Sequence, residues 1–467
     1  MSESTRLTQN PGRITSAIKD IFTNPNRCGR WAFRVLLPAA FAVAGTTSEA
    51  QAQFGSTLNG TGPVARSMAG TTTAAPVDTL GAFQWNPATI TALPSSTDFG
   101  LEILMPHSTV SSTVNAGSLA PGFPAATLTG STDSESGIFP LPNFGIVHNP
   151  EGANYSYGVG VLSVGGFGVN YPGSASNPVL TPPLPAGIGV GPIYTQYQLV
   201  QVMPTIALHL TDDFSVGFSP IVNLASLSID PGILAAPDNA NGNGFPTYPS
   251  MNHGSFQWGA GFQVGAFYKT DYCWQFGAAL RSPQWFSDFE YNSSDQIGNP
   301  RTIDYGLDAP LTVSLGTAYT GFDRLLIAVD GKFLNYSDTR GYETAGFSPT
   351  GAVNGLGWDD VFAVSTGVQY QATDFAALRM GYSFNTNPIN DADSFYNVGS
   401  PLSLQHGAYA GTTWSVTDNF KVSLTYSHFF ENTISGPIQT AGGPIPGTNL
   451  TSSTSADSIL VGATVLF

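Results

Sequence analysis

Regular alternation of apolar and polar residues is the feature that most limits how this chain can fold. Apolar side chains occupy nearly every second position in segments such as 256–268, 311–319, 378–384 and 420–426. Successive side chains of a β-strand point to opposite faces, so each segment predicts a strand with one apolar face. The other face is mainly Gly, Ser, Thr and Gln, whereas the exposed face of a soluble sheet is usually charged. This pattern indicates an apolar face towards lipid and a polar face towards a lumen.

The composition argues against both a soluble protein and a helical membrane protein. Charged residues make up 10% of the 467 residues, against about 25% in soluble domains. After residue 52, no apolar run approaches the ~20 residues that a spanning helix needs. A closed barrel satisfies every backbone hydrogen bond in lipid without such runs. The sequence therefore predicts an all-β protein of the bacterial outer membrane.

Residues 1–52 have the features of a signal peptide. Three arginines between residues 27 and 34 form a positively charged region, and a short apolar stretch follows at 35–44. Ala50-Gln51-Ala52 fits a cleavage site of small residues. We therefore expect the mature chain to begin at Gln53.

The mature chain is strongly acidic. The signal peptide holds six of the fifteen Lys and Arg residues and three of the 31 Asp and Glu residues, which leaves nine against 28 and a formal net charge of −19. Contacts with phosphate groups need a basic surface, so the composition disfavours nucleic acid as a partner.

Counting the alternating segments predicts a 14-stranded antiparallel transmembrane β-barrel over 96–467. The predicted strands are 97–110, 138–148, 154–170, 194–210, 213–229, 255–270, 272–291, 302–319, 322–340, 358–371, 374–385, 404–417, 419–431 and 455–467. Their connections alternate between short turns, five of six with Asp, and long segments rich in Gly, Pro, Asn and Ser. Outer-membrane barrels have short periplasmic turns and long outer loops, so both ends of the barrel are predicted to be periplasmic.

Residues 53–95 precede the first strand and are predicted to form a small hatch inside the lumen. In Gly81–Pro94, the Asn86-Pro87 turn separates Phe83 and Trp85 from the apolar residues that follow. The segment matches neither a strand nor an amphipathic helix, and about forty residues are too few for a separate large domain. A compact plug that enters from the periplasmic side accounts for it.

Several local motifs, taken together with the fourteen strands, identify a known family. The motifs are Asn86-Pro87-Ala88, Met203–Phe218, Arg281-Ser282-Pro283, Asp308–Gly316 and Asn387-Pro388. The mature chain resembles the FadL/TodX family of outer-membrane transporters for long-chain fatty acids and aromatic hydrocarbons. The resemblance implies passive uptake of hydrophobic compounds, a hatch that blocks the lumen, and lateral exit into the membrane through a kink in the third strand. It implies neither a cofactor nor an energy-coupling partner.

The third predicted strand contains Gly165, Gly166 and Gly168, which are candidates for the opening in the wall. Glycine weakens strand pairing and often marks a bulge or bend. The alternative is that these glycines only make room for the hatch. Pro204 and Pro220, in the next two strands, also interrupt pairing and could serve the same opening.

Two basic residues, Arg281 and Arg379, are candidates for binding the carboxylate of a fatty acid, because arginine binds carboxylates through two hydrogen bonds. A structural role inside the barrel is the alternative. If neither arginine lines the pocket, an uncharged aromatic or aliphatic substrate is favoured. Phe83 and Trp85 are candidates for apolar contacts with the substrate or for packing within the hatch.

Two other functions remain as alternatives: a passive porin for small polar solutes and an outer-membrane lipase. The six histidines stand in no nucleophile motif, and metal-ligand spacing is absent. Porins use about sixteen to eighteen strands around an open channel. The remaining expected partners are outer-membrane lipid and the barrel-assembly machinery, which the terminal Phe467 and the apolar alternation before it would engage. A monomer is expected.

Overall fold

The structure is a computed structural model that describes residues 54–252 and 256–467. The predicted signal peptide and Gln53 lie outside the described residues. None of the helices within those two ranges is long and apolar enough to span a bilayer.

In the described part of the chain, fourteen antiparallel strands form a closed barrel, because β1 pairs with both β2 and β14. The strands are β1 (Ser96–Val114), β2 (Phe139–His148), β3 (Tyr155–Tyr171), β4 (Ile193–His209), β5 (Phe214–Asp230), β6 (Gln257–Lys269), β7 (Trp274–Arg281), β8 (Leu311–Phe322), β9 (Leu325–Asn335), β10 (Val361–Thr373), β11 (Ala376–Asn385), β12 (His406–Ser415), β13 (Phe420–Gly436) and β14 (Thr448–Leu466). The predicted fold class is confirmed.

The long outer connections contain short strands. Leu128–Asp133 pairs with the outer end of β1, and Trp285–Phe286 pairs with β6. Phe289–Ser294 pairs with Pro300–Tyr305, and Gln439–Thr440 pairs with Gly443–Pro444.

The two largest errors in the predicted strand boundaries lie on either side of one outer loop. The segment 272–291 was predicted as one strand, but β7 ends at Arg281, and β8 begins at Leu311 instead of at 302. Prolines explain both differences, because Pro283 and Pro310 provide no N–H group for a central ladder. The residues between them form an outer loop.

The outer surface of the barrel carries an apolar band. On β11, Leu378 and Met380 are exposed, and Ile459, Val461 and Val465 are exposed along β14. The inward positions between them are Arg379 on β11 and Leu460, Gly462 and Thr464 on β14, of which only Leu460 is large and apolar. This is the arrangement predicted from the alternation, with apolar side chains against lipid.

The hatch lies inside the lumen and is almost completely buried. Helix α1 (Pro63–Ser67) packs against β11–β13, and helix α2 (Thr79–Trp85) packs against β1–β3. A 3₁₀ helix, Pro87–Ala92, contacts β4–β6. Asn86 separates the last two helices: its Oδ1 accepts a hydrogen bond from the N–H of Ala88 at 3.0 Å. The predicted Asn-Pro turn is therefore a helix cap, with proline in the first helical position where its missing N–H costs nothing.

Candidate transport site

A ring of inward-facing glycines surrounds the hatch. On eleven different strands there is a described glycine at which an added Cβ atom would lie within 3.2 Å of a hatch atom. At Gly277 the distance to the carbonyl oxygen of Thr73 would be 1.8 Å. The backbone and side chains of the hatch therefore fill the lumen at this height. The ring consists of Gly100, Gly145, Gly160, Gly217, Gly265, Gly277, Gly316, Gly367, Gly381, Gly411 and Gly462.

Buried charged groups tie the hatch to the wall. Arg66 in α1 and Glu102 in β1 form an ion pair at 2.7 Å with both side chains fully buried, and we call this pair the latch. On β9, the Oδ2 of Asp330 accepts hydrogen bonds from the N–H and hydroxyl of Thr73 at 3.0 and 2.7 Å. Lys332 pairs with the same oxygen at 3.0 Å.

Asp78 caps helix α2 at the base of the hatch. Its carboxylate oxygens accept hydrogen bonds from the N–H groups of Gly81 at 3.1 Å and Ala65 at 3.3 Å. Asp98 of β1 lies nearby and accepts from the N–H of Thr79 at 2.8 Å. Burial raises the pKa of Asp78 to about 7, with repulsion from Asp98 as the second cause. The hatch therefore holds a carboxyl group that titrates near neutral pH.

Both candidate arginines are occupied by protein groups. Arg281 donates to Oε1 of Gln263 from Nε at 3.1 Å and from Nη2 at 2.9 Å, and it also donates to the carbonyl oxygen of Gln84 in the hatch. Arg379 donates from Nε to Oε1 of Gln369 at 2.7 Å. Each arginine therefore has protein hydrogen-bond partners inside the lumen.

The wall is interrupted between β2 and β3. Within the described residues these strands pair at five positions, from Phe144–Val161 to His148–Tyr157. β3 nevertheless continues to Tyr171, where it still pairs with β4. Beyond Val161, β3 therefore forms no further ladder with β2. The N–H of Ser163 still donates to Oδ1 of Asn143 at 2.8 Å, and the N–H of Glu135, which precedes β2, donates to the carbonyl oxygen of Asn170 at 2.8 Å.

Prolines on β2 account for the end of pairing. The hydroxyl of Ser163 donates to the carbonyl oxygen of Pro142 at 2.8 Å, so this edge of Pro142 faces β3. In an antiparallel pair, the N–H and C=O of one residue face the same neighbour. Pro142 and Pro140, two positions away, therefore lack the N–H groups that would continue the ladder to β3.

The hatch takes the place of β2 along the free edge of β3. The N–H of Leu58 donates to the carbonyl oxygen of Val164 at 2.9 Å, and Thr57 forms a β-bridge with Gly165. The register of β3 against β4 shifts between Ser163 and Gly165, which marks a bulge. The bulge coincides with the point at which the hatch replaces the strand.

The three candidate glycines of β3 have different environments. A Cβ atom on Gly165 would lie 2.7 Å from the carbonyl oxygen of Ser56, so this glycine makes room for the hatch. A Cβ atom on Gly168 would lie 2.8 Å from the ring of Phe139 across the interruption. Gly166 and Gly168 both line an apolar pocket. Gly165 therefore lies against the hatch, whereas the other two glycines border the pocket.

The apolar pocket lies directly behind the interrupted wall. Its cavity volume is about 40 Å³, and the described residues that line it carry no charge. Its polar lining comes from Ser108, Gln198 and Thr454. Arg281, Arg379, Phe83, Trp85, Asn86 and Pro87 are not among its lining residues. The apolar lining includes Leu104, Phe139, Leu141, Phe167, Leu402 and Leu404.

A second, wider cavity lies among the outer loops, and we call it the vestibule. Its volume is about 340 Å³. A buried apolar cluster connects the two cavities, because it contains Val169 of the pocket and Val179 of the vestibule. The vestibule lining includes Val114, Val179, Ile188, Tyr248, Phe347, Phe395 and Ile438.

Pro204 and Pro220 interrupt a different ladder. β4 and β5 pair at Val202–Val222 and again at Ile206–Phe218, without pairing at the positions between them. The hydroxyl groups of Thr205 and Ser219 bridge this short break. Side-chain hydrogen bonding therefore bridges the break at these prolines, which lie away from the separation of β2 and β3.

Two functional features were missed in the sequence. Pro140 and Pro142 stand at alternate positions of a predicted strand, and such prolines are the direct signal for an edge that lacks a partner. The sequence pattern was interpreted only as glycines on the polar faces of the strands. An inward-facing glycine that recurs on successive strands indicates that a second backbone approaches closely.

Comparisons with known proteins agree with this architecture. The family model described as outer membrane protein transport protein (OMPP1/FadL/TodX) matches residues 41–467. No curated protein sequence matches the chain. Solved structures share its fold: the P. putida toluene transporter TodX has 18% identity and a TM-score of 0.63, covering 88% of this chain and 99% of that chain.

Two further structures give the same picture. The Ralstonia pickettii toluene transporter TbuX has 18% identity and a TM-score of 0.61, with 88% of this chain and 99% of that chain covered. A Pseudomonas aeruginosa FadL homologue has 15% identity and a TM-score of 0.61, with 90% and 100% covered. At these identities the structures establish the fold, and the family model establishes the family. The chain belongs to the OMPP1/FadL/TodX family of bacterial outer-membrane transport proteins, a family of channels and not of enzymes.

Proposed function

We propose that this protein is a passive channel for uncharged hydrophobic compounds, which leave the barrel sideways between β2 and β3. The observation that carries the proposal is the apolar, charge-free pocket directly behind the interrupted wall. The exit lies at the end of β2 farthest from the periplasmic turn. Cargo would therefore enter the outer part of the bilayer.

The ring of glycines supports lateral exit over passage straight through the lumen. Backbone or side-chain atoms of the hatch lie against glycines of the inner wall on eleven strands. The latch and Asp330 hold the hatch there through buried charges. A compound that reaches the pocket therefore meets protein below it and an interrupted wall beside it.

The proposed route keeps apolar cargo away from water. Cargo collects in the vestibule, follows the apolar cluster from Val179 to Val169, and reaches the pocket. From there, passage between β2 and β3 transfers it to lipid. Transfer of apolar surface from water into an apolar environment is favourable, so the route requires no energy-coupling partner.

The charges of the lumen support a neutral substrate. A carboxylate in the pocket would be a buried, unpaired charge, which is costly. Arg281, Arg379 and Lys332 all bind protein groups, and none of them lines the pocket. The pocket therefore suits an aromatic or aliphatic hydrocarbon better than a fatty acid. Two similar structures are those of toluene transporters.

An uptake assay with three compounds tests the proposal. Cells that carry or lack the protein are compared for accumulation of labelled toluene and oleate, and liposomes with the protein are tested for swelling in arabinose. We expect faster toluene uptake, no acceleration of oleate, and no swelling. Equal acceleration of oleate would reject the neutral substrate class. Swelling without toluene uptake would reject the channel proposal in favour of a porin.

A further inference from the structure

We propose that Phe139 sets the width of the lateral exit and thereby the largest cargo that this channel passes. The proposal rests on the function proposed above, since it names the residue that determines specificity at that exit. It is drawn from the position of one side chain between two separated strands.

The ring of Phe139 crosses the interruption from β2 to β3. A Cβ atom on Gly168 would lie 2.8 Å from Cζ and 3.3 Å from Cε1 of Phe139. The ring therefore packs directly on the backbone of β3, where a larger residue than glycine would displace it. Because the two strands form no ladder here, this contact closes the wall.

The backbone of Phe139 is paired with a neighbouring strand on one side only. It is the first residue of β2, and it pairs with Leu104 of β1. On the other side, the ladder to β3 begins only at Phe144. The ring is half-buried and packs against an apolar cluster that includes Leu58 and Leu404. Apolar packing, without a ladder towards β3, therefore fixes its position.

The size of the pocket requires a side chain to move. Its cavity is about 40 Å³, whereas an apolar cavity that binds benzene is roughly 150 Å³. Phe167, the other phenylalanine of the lining, packs on Tyr197 at 5.4 Å and belongs to a strand paired with β4. Phe139 lies on the free edge, so rotation of its ring both enlarges the pocket and opens the exit.

Three variants test the proposal with toluene and naphthalene as probes. Phe139→Ala removes the ring, and Phe139→Trp enlarges it. Phe144→Ala is the matched control, because Phe144 lies on the same strand, is 39% exposed, and is paired to β3. Outer-membrane level and the heat-dependent gel shift of each variant establish that the barrel has folded.

We expect Phe139→Ala to raise naphthalene uptake relative to toluene by on the order of tenfold, the effect of a changed apolar contact on discrimination. Phe139→Trp should lower the same ratio, and Phe144→Ala should leave it unchanged. If the wild type takes up toluene but neither Phe139 variant changes the ratio, the width proposal is overturned while the channel proposal stands. Absence of toluene uptake by the wild type would overturn the channel proposal itself.

Discussion

Two sides of the barrel wall hold the hatch in opposite ways. β1 and β14 pair at nineteen described positions, and the latch lies on their inner face. β2 and β3 pair at five described positions, and apolar side chains and the hatch backbone occupy the remaining edge. The β1–β14 side thus combines a complete ladder with a buried ion pair, and the β2–β3 side combines an incomplete ladder with a pocket that has no charged lining residues.

In the proposed function, this difference gives one barrel both a closed side and an exit. Buried ion pairs and continuous backbone hydrogen bonds make a section of wall that is costly to disturb. The contact between Phe139 and Gly168 is apolar, and it is lost without leaving an unpaired charge. Cargo is therefore expected to displace the β2–β3 side while the latch side stays fixed.

The largest expected effect comes from breaking the latch. Arg66→Met leaves Glu102 buried without its counter-charge, which costs about 3–5 kcal/mol. We expect the hatch to detach on this side, and hydrogen exchange of residues 60–70 and arabinose-driven liposome swelling should both increase.

The matched control is the double variant Arg66→Met with Glu102→Leu. Replacement of a whole buried ion pair by apolar residues is often neutral or stabilising, so the double variant should exchange and swell like the wild type. If Arg66→Met alone also behaved like the wild type, the latch would not be what holds the hatch against β1 and β14.

A smaller effect is expected from repairing the incomplete ladder. Pro140→Val with Pro142→Val restores two N–H groups facing β3, and each hydrogen bond contributes about 0.5–1.5 kcal/mol net. We expect a narrower exit, slower toluene uptake and a more stable barrel. Pro204→Val, in the interrupted β4–β5 ladder, is the control and should leave uptake unchanged. Unchanged uptake in the double variant would contradict exit between β2 and β3.

The smallest expected effect is a pH dependence of hatch docking. The pKa of Asp78 is raised to about 7 in the docked hatch, against an ordinary value of 3.8. Between these values the docked state binds more protons, so docking weakens as pH rises towards 7, by about 1 kcal/mol between pH 6 and 8.

Asp78→Asn keeps the helix cap and removes the charge, so it should abolish this dependence. Hydrogen exchange of residues 78–85 at pH 6 and 8, corrected for intrinsic exchange rates, measures it. An equal pH dependence in the variant and the wild type would show that another group is responsible.

The sequence by itself determined the barrel, its fourteen strands and the place of the hatch. Alternation is a local property of each strand, and an apolar face without charge has few stable environments other than lipid. The Asn86-Pro87 turn followed in the same way from the chemistry of adjacent residues, and the structure shows that this turn caps a 3₁₀ helix. These features require no knowledge of which strand contacts which hatch residue.

Only the tertiary structure decided where the pairing of β2 and β3 ends and which partners the charged residues have. Gly165 and Gly168 look alike in sequence, yet one accommodates the hatch and the other contacts Phe139. Arg66 forms an ion pair with Glu102, which lies 36 residues further along the chain. Arg281 donates a hydrogen bond to the carbonyl oxygen of a hatch residue that is far away in sequence. Long-range contacts of this kind depend on how the hatch sits in the closed barrel, because local propensity and spacing carry no information about distant partners.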